Sequence, residues 1–583
     1  MQNKGSAPRR GPASFSIDMA LYLLGFLGLM YGSILTILVI RIPLSLTTLI
    51  LANLICASAI ALWMYKKGML RASLPAIITT ALLVGVSVLS NAIILDTSFD
   101  GQGYHQLASA SIRNGWNPLY EPAFASSVWV EHYPKAAWFV AAAFYTYTGI
   151  IDTGKSINLI VLFASFFASF AYLHWFLIAR EEQSGITMTP MRRFYRWALA
   201  VLLAACAAFN PVTMVQLFSH YNDGLIGSLL FVLISSLAYA AVRADRRVIG
   251  AAMLSIVFLL NIKFTAVAYA ALICLFFIVY VAFTQKGRTE MRRPKAVQLW
   301  QELWRKGSRA KRAILTLGAT GICAIVLIGF NPYVYNTINK GHPLYPLAGK
   351  EKIDIMTENS PADFVDKNRF EKFLRSYTAM TENPLTPEES RPTQFWPIDT
   401  KAFFRIEYDT RTAAFGPLTL WLVTGSLLVW LVTLAADRRL GAAGGIAVFA
   451  LLLTVFINPE AWWARYVPQL WLVPLLIAAI ASISRWFPVR AAGLLLLAVA
   501  LYNAGGVGGI GGGRQIVKSM RVQSQYEHLQ APIEVLPNGF LSIENRLREY
   551  GVNYVLITEE KLCKQPTRFI YTLGLYCEGK GEK

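Results

Sequence analysis

Charge is scarce in this chain. Asp, Glu, Lys and Arg make up 15% of its 583 residues, against about 25% in an ordinary soluble protein. With 55% hydrophobic residues, that shortage excludes a soluble globular class. Acids are scarcer still, 34 against 54 basic residues, which leaves a net charge of +20. The bases do not gather into one nucleic-acid-binding surface. They fall in short tracts between apolar runs, at 65–71, 191–196, 243–247, 286–295, 304–312, 437–440 and 484–490. Lys and Arg in short loops mark the cytoplasmic side of a membrane protein. Membrane lipids are therefore expected partners and nucleic acid is not. Cysteine is also sparse, six in all, with no CxxC and no His/Cys metal spacing. Cys56, Cys206, Cys274 and Cys323 lie in apolar runs and read as small packing residues. Cys563 and Cys577 lie in a polar tail. In an oxidising compartment they would close a short loop, worth about 3 kcal/mol.

What the chain has in abundance is apolar runs long enough to span a bilayer, which takes about 20 residues. Fourteen candidates can be read, near 17–40, 45–64, 73–94, 135–150, 156–179, 197–217, 222–242, 248–262, 265–283, 313–330, 413–434, 441–457, 467–483 and 490–510. All basic tracts can share the cytoplasmic side only if one run does not cross. The parity fails at 135–150 and 156–179, and the first of these is short. The expected fold is an all-α polytopic membrane protein of about 13 transmembrane helices, with a small C-terminal α/β domain outside the cytoplasm.

The expected organisation is a cytoplasmic tail (1–15), a membrane domain (16–512) and the small domain (513–583). The first apolar segment is too long for a signal peptide and reads as an anchor. The glycine run NAGGVGGIGGGR (503–514) lacks the ending of a phosphate loop and is expected to be a flexible linker.

With the basic loops inside, the polar segments 95–134, 218–224, 331–412 and 457–468 share the outer face. Polar groups at membrane depth usually line a cavity, so a functional face is expected there. DTSFDGQGYHQ (96–106) places Asp96, Asp100, Tyr104 and His105 just after an apolar run. A carboxylate at such a boundary can serve as a general base on a hydroxyl. Asp100 is the stronger candidate, with helix capping as the alternative reading. Asp96, at the end of the preceding run, reads as support. SHYNDG (219–224) offers Asp223, in what could equally be a polar turn. Lys263 interrupts an apolar stretch in NIKFT (261–265), either facing an anion or sitting in a short turn. GHPLYP (341–346) presents His342 and Tyr345 on a turn stiffened by two prolines. Arg465 in EAWWARYVP (460–468) suits a phosphate, since arginine pairs with phosphate oxygens in bidentate fashion.

In order and in membrane side, four of these elements resemble the glycosyltransferase C superfamily, membrane enzymes that use polyprenyl-phosphate sugars. They are Asp100 four residues before Tyr104-His105, GWNPLY (115–120), GHPLYP with His342 in place of the usual Asn, and RYVP (465–468). The resemblance covers most of residues 75–470. It implies an inverting transfer from a polyprenyl-phosphate sugar donor to a glycan, lipid or protein acceptor. Asp100 would be the base. Lys263 and Arg465 would stabilise the leaving phosphate. Asp96, Tyr104, His105, Asp223, His342 and Tyr345 would contact substrate. It further implies a bacterial cytoplasmic membrane, with the site on the extracytoplasmic face. No cofactor is expected, and in the absence of a DxD pair a divalent metal is not favoured. Two other classes compete. A polysaccharide polymerase or ligase of another fold would rely on arginines of the large loop, such as Arg369 and Arg405. A lipid-linked glycan transporter would show paired inverted repeats, and no such halves are found.

Overall fold

The computed structural model describes residues 11–123, 127–183, 185, 187–284, 308–540, 542–561 and 563–578. The basic tract 286–295, residues 304–307 of the next tract and residues 1–10 of the N-terminal tail lie outside the described residues. Among the described residues, ten helices are long and apolar enough to cross a membrane: Pro12–Val39, Leu46–Lys66, Leu70–Ile93, Ile151–Ala179, Asp223–Val242, Thr265–Thr284, Arg309–Ile328, Thr419–Ala436, Arg438–Phe456 and Phe487–Glu527. The protein is a mostly helical, multi-pass membrane protein. Three further helices fall in the expected runs but short of that measure. Pro190–Ala208 carries Arg192, Arg193 and Arg196 in its first turns. Arg246–Ile262 has 17 residues, and the run Pro468–Ser482 is shorter.

The run at 135–150 forms a helix of only 13 residues, Ala136–Thr148. At about 1.5 Å per residue it is roughly 20 Å long, short of a hydrocarbon core of about 30 Å. It keeps to the loop that precedes it. Near its start the Trp138 indole donates to His105 (2.8 Å), and near its end Arg113 lies 4.0 Å over the Tyr145 ring. The turn Ile151–Lys155 then brings the chain back to Ile94, whose carbonyl accepts from the Lys155 ammonium. This helix therefore starts and finishes beside the same loop.

The bundle centres on Ser156–His174, which packs against Pro12–Val39 and Asp223–Val242. Lipid tails are as apolar as leucine, so close packing has to hold membrane helices together, and small residues permit it. Ala164, Ser165, Ala168 and Ser169 are buried on this helix, and the Ser169 and Ser235 hydroxyls meet at 3.2 Å. Span starts are capped locally: Ser45 accepts from the Thr48 amide and Thr189 from the Arg192 amide, as expected of hydroxyl caps.

The glycine run is not a linker. Residues 503–514 lie inside the 41-residue helix Phe487–Glu527. Two of the glycines permit close approach. A Cβ on Gly506 would stand 2.6 Å from the Phe403 ring, and one on Gly508 2.8 Å from Met214. The surrounding loop and helix Pro211–Gln216 press against this face, and their burial offsets the poor helix propensity of glycine. The expected boundary at 512/513 thus falls within a continuous helix.

Beyond it, β1 (Ile533–Leu536), β2 (Tyr554–Leu556), β3 (Thr567–Arg568) and β4 (Leu575–Glu578) form a sheet of order β2-β1-β4-β3, with β1 and β2 parallel. Helix Ser542–Glu549 connects the parallel pair. Ile533, Val535, Ile543, Leu547 and Phe569 form its small core, together with Tyr526 of the long helix and Leu95 of the first polar loop. Cys563 and Cys577 are disulfide-bonded.

Candidate functional site

Four polar segments, far apart in sequence, meet at one end of the bundle. Thr97 bonds Tyr408 (2.9 Å), Gln216 donates to the Tyr408 carbonyl (3.0 Å), and Arg465 reaches Asp223 (3.4 Å). Two acid-centred networks result.

The first surrounds Asp96, which is fully buried. Its Oδ2 accepts from the His220 amide (2.7 Å) and ring Nδ1–H (2.8 Å), and its Oδ1 from the Ser98 amide (2.8 Å) and hydroxyl (2.6 Å). Burial pushes this carboxyl up, but the His220 and Ser98 hydrogen bonds and the nearby charges outweigh it and hold it down at about 2. The Asp96 amide donates to Asp152 (2.6 Å), which pairs with Lys155 (2.6 Å). Arg546 of the C-terminal domain closes the network. It donates to the Asp96 carbonyl (2.6 Å) and to Gln102 (2.9 Å). Phe540 packs edge-on against Phe99 at 5.0 Å, and the Ser542 hydroxyl bonds the Gln102 carbonyl. Both sides of the Asp100 turn are thus held by the C-terminal domain.

The second network surrounds Asp100, which is only half-buried. Its backbone is helical and its side chain caps no amide, which removes the capping reading. Tyr221 and Arg465 favour its charged form, and Asp409 and Asp223 oppose it. Desolvation is the largest influence. Arg465 opposes it, Asp409 and Asp223 reinforce it, and the carboxyl is raised to about 6. Asp223 opens its helix and pairs with Lys263, which stands in the short break between Arg246–Ile262 and Thr265–Thr284. Arg465 lies between Asp223 (3.4 Å) and Asp409 (3.0 Å). Its guanidinium is 4.2 Å from the Trp463 ring centre, 4.9 Å from Tyr466 and 5.3 Å from Tyr221. Lys263 sits 4.5 Å over Tyr466. Two cations and two acids therefore cluster among Trp463, Tyr466 and Tyr221, within electrostatic reach of Asp100.

Tyr104 and His105 adjoin this cluster, their ring centres 4.2 Å apart and the planes tilted by 34°. Burial and the neighbouring His220 push His105 down to about 3, so it is neutral. The Trp138 indole can only donate, and it donates to Nδ1, so the proton of His105 resides on Nε2. His105 is thereby a donor rather than a base. His342 and Tyr345 are placed differently. His342 Nδ1 accepts the Leu344 amide within its own turn (3.1 Å). Tyr345 is buried edge-on against His132 at 4.8 Å. Of the expected set, ion pairs join Asp223, Lys263 and Arg465, and Asp100 lies within their electrostatic reach; Asp96 belongs to the neighbouring network, and His342 and Tyr345 lie in the packing of the large loop. Arg369 bonds the Phe456 carbonyl (3.3 Å) and Arg405 pairs with Asp399, so each is engaged within the loop or at a helix end.

Asp409 escapes a reading of the sequence, as do Arg411, which pairs with it at 3.5 Å, and Arg546. EYDTR (407–411) does carry an acid beside a tyrosine and an arginine, but it lies deep in a long polar insert with nothing to single it out. Among the described residues no group of three or more His, Cys, Asp or Glu is arranged to hold a metal ion. Compared with known proteins, the chain matches no family model, no curated protein and no solved structure.

Proposed function

We propose that the protein is a membrane glycosyltransferase that moves a sugar from a polyprenyl-phosphate donor to an acceptor hydroxyl. In this reading an acceptor oxygen attacks the anomeric carbon as the bond to the phosphate oxygen breaks. Asp100 takes the hydroxyl proton, and polyprenyl phosphate departs with the bonding electrons. Configuration inverts because a single displacement occurs. A base works best with a pKa near the working pH, and a carboxylate raised to about 6 meets that need while remaining largely ionised at neutrality. Lys263 and Arg465, both paired with Asp223, would receive the departing phosphate charge, a contribution of a few kcal/mol per well-placed donor. Trp463, Tyr466 and Tyr221 offer faces on which a sugar ring can rest.

The observation that carries the reading is a half-buried, underbonded carboxylate within electrostatic reach of two cations. The site is proposed to face the extracytoplasmic side of a bacterial cytoplasmic membrane, opposite the basic loops. The test is sugar transfer from a lipid-linked donor in proteoliposomes. Asp100→Asn is expected to abolish transfer while the protein still accumulates and remains monodisperse. Full activity of that variant would overturn the role of Asp100.

A further inference from the structure

The large loop between Arg309–Ile328 and Thr419–Ala436 exposes apolar groups at two places. One is the helix Arg369–Tyr377, where Phe370 is 55% and Leu374 65% exposed. The other is Phe395-Trp396, where Trp396 is 77% exposed. A water-facing loop rarely displays such groups together.

Both places are fastened to the ends of spanning helices. Thr419–Ala436 and Arg438–Phe456 are joined through Asp437 alone, so they form a hairpin whose outer ends, Thr419 and Phe456, lie side by side. At one of these ends Phe370 and Phe373 pack on Phe456 at 5.1 and 4.8 Å, and Arg369 bonds the Phe456 carbonyl. At the other, the Trp421 indole donates to the Phe395 carbonyl (3.2 Å) and the two rings meet edge-on at 5.4 Å. The exposed stripe Ile446, Phe449, Leu453 and Ile457 runs up the second helix at spacings of three and four, towards Phe370. This stripe has the composition of a lipid-facing surface, and the loop patches continue it.

The short helix is built for the boundary. Phe373 and Tyr377 pack on Phe456 and Phe415, Leu374 faces outward, Phe370 stays exposed at the edge of Phe456, and Arg369, Lys372 and Arg375 (the last paired with Asp363) supply cations. An apolar face flanked by basic residues lies in the headgroup layer, with its apolar side towards the acyl chains. Tryptophan likewise favours that depth.

We propose that this loop lies in the membrane, its helix Arg369–Tyr377 and the Phe395-Trp396 pair inserted into the headgroup region of the phospholipid leaflet. The loop that supplies Asp409 would then sit at the lipid–water boundary. The inference stands whether or not the protein transfers sugar.

The test uses full-length protein in vesicles of phosphatidylcholine and phosphatidylglycerol, with Cys56→Ser and Cys323→Ser removing the exposed thiols. Nitroxide labels go on Leu374→Cys, Trp396→Cys and, as an aqueous reference in the same loop, Lys350→Cys. All three positions are exposed, so the labels disturb no core. Labels at 374 and 396 are expected to relax with oxygen in preference to a water-soluble nickel chelate, and the label at 350 to show the reverse. If all three prefer the chelate, the loop projects into water and the proposal is wrong. If 374 and 396 are shielded from both relaxants, a protein surface covers the patch, and a lipid contact is equally refuted.

Discussion

Asp96 and Asp100 stand four residues apart on one loop, yet they occupy opposite electrostatic situations. Asp96 is buried, accepts four hydrogen bonds and is pulled down to about 2. Asp100 is half-buried, shares its surroundings with two other acids and is raised to about 6. A carboxylate whose lone pairs are filled by fixed donors is committed to holding backbone together. One that the fold has desolvated without satisfying is in a position to take up a proton. Perturbed carboxyls of the second kind gather at functional sites. Hydrogen-bond saturation separates the two acids here more sharply than residue type or position could.

The largest effect expected is on the open acid. Asp100→Asn is expected to lower transfer by about 10²–10⁴-fold, the range of a lost general base, with no fall in thermal stability. The second half follows from its raised pKa. The folded state binds the proton more tightly than the unfolded chain, so the stability Asp100 contributes is complete below about 4 and lost as pH rises through about 6. An amide escapes that loss. A melting temperature well below that of the parent would break the contrast.

Asp96→Ala should do the reverse. Removing a buried carboxylate strands the His220 and Ser98 donors, at a cost of about 3–5 kcal/mol. The expected readout is reduced accumulation and a lower unfolding temperature in detergent. The pH dependence also runs the other way. A carboxyl held at about 2 stabilises the fold above about 4, and that contribution disappears as pH falls through 2.

Lys263→Ala and Arg465→Ala are each expected to reduce transfer by about 10²–10³-fold. Each substitution also leaves Asp223 short of a partner, so thermal unfolding has to be followed in parallel. Arg465→Lys keeps the charge but loses the fork, and recovery of full activity by it would count against bidentate phosphate binding.

The smallest effect expected is a shift in a pH profile. Transfer in the parent should rise with pH to half its plateau near 6. Asp409→Asn removes a like charge from beside Asp100 and should move that midpoint down. An unmoved midpoint would mean that another group sets the profile.

Part of this site is legible in the amino-acid sequence. The spacing of Asp100 before Tyr104-His105, and the position of Asp96 at the end of an apolar run, single out both acids of the first polar loop, and the fold gives them different surroundings. The alternation of basic tracts and apolar runs implies a many-helix membrane chain with one non-crossing segment. The glycine run misleads, because composition cannot distinguish a linker from a helix whose neighbours need room. In the fold, Phe403 and Met214 occupy the space that side chains at 506 and 508 would have filled. Cys563 and Cys577 are close enough in sequence for their pairing to be anticipated.

Hydropathy and charge along the chain are enough to settle the solvent this protein lives in and the ends at which its polar residues must gather, because burying charge in hydrocarbon is costly at any fold. They do not settle which of those polar residues meet. Asp223, Lys263, Asp409 and Arg465 come from separate loops, and Arg546 reaches Asp96 across 450 residues of chain. Only helix packing brings them within a few ångströms. Protonation at Asp100 depends on distance and desolvation, and both are properties of the assembled bundle.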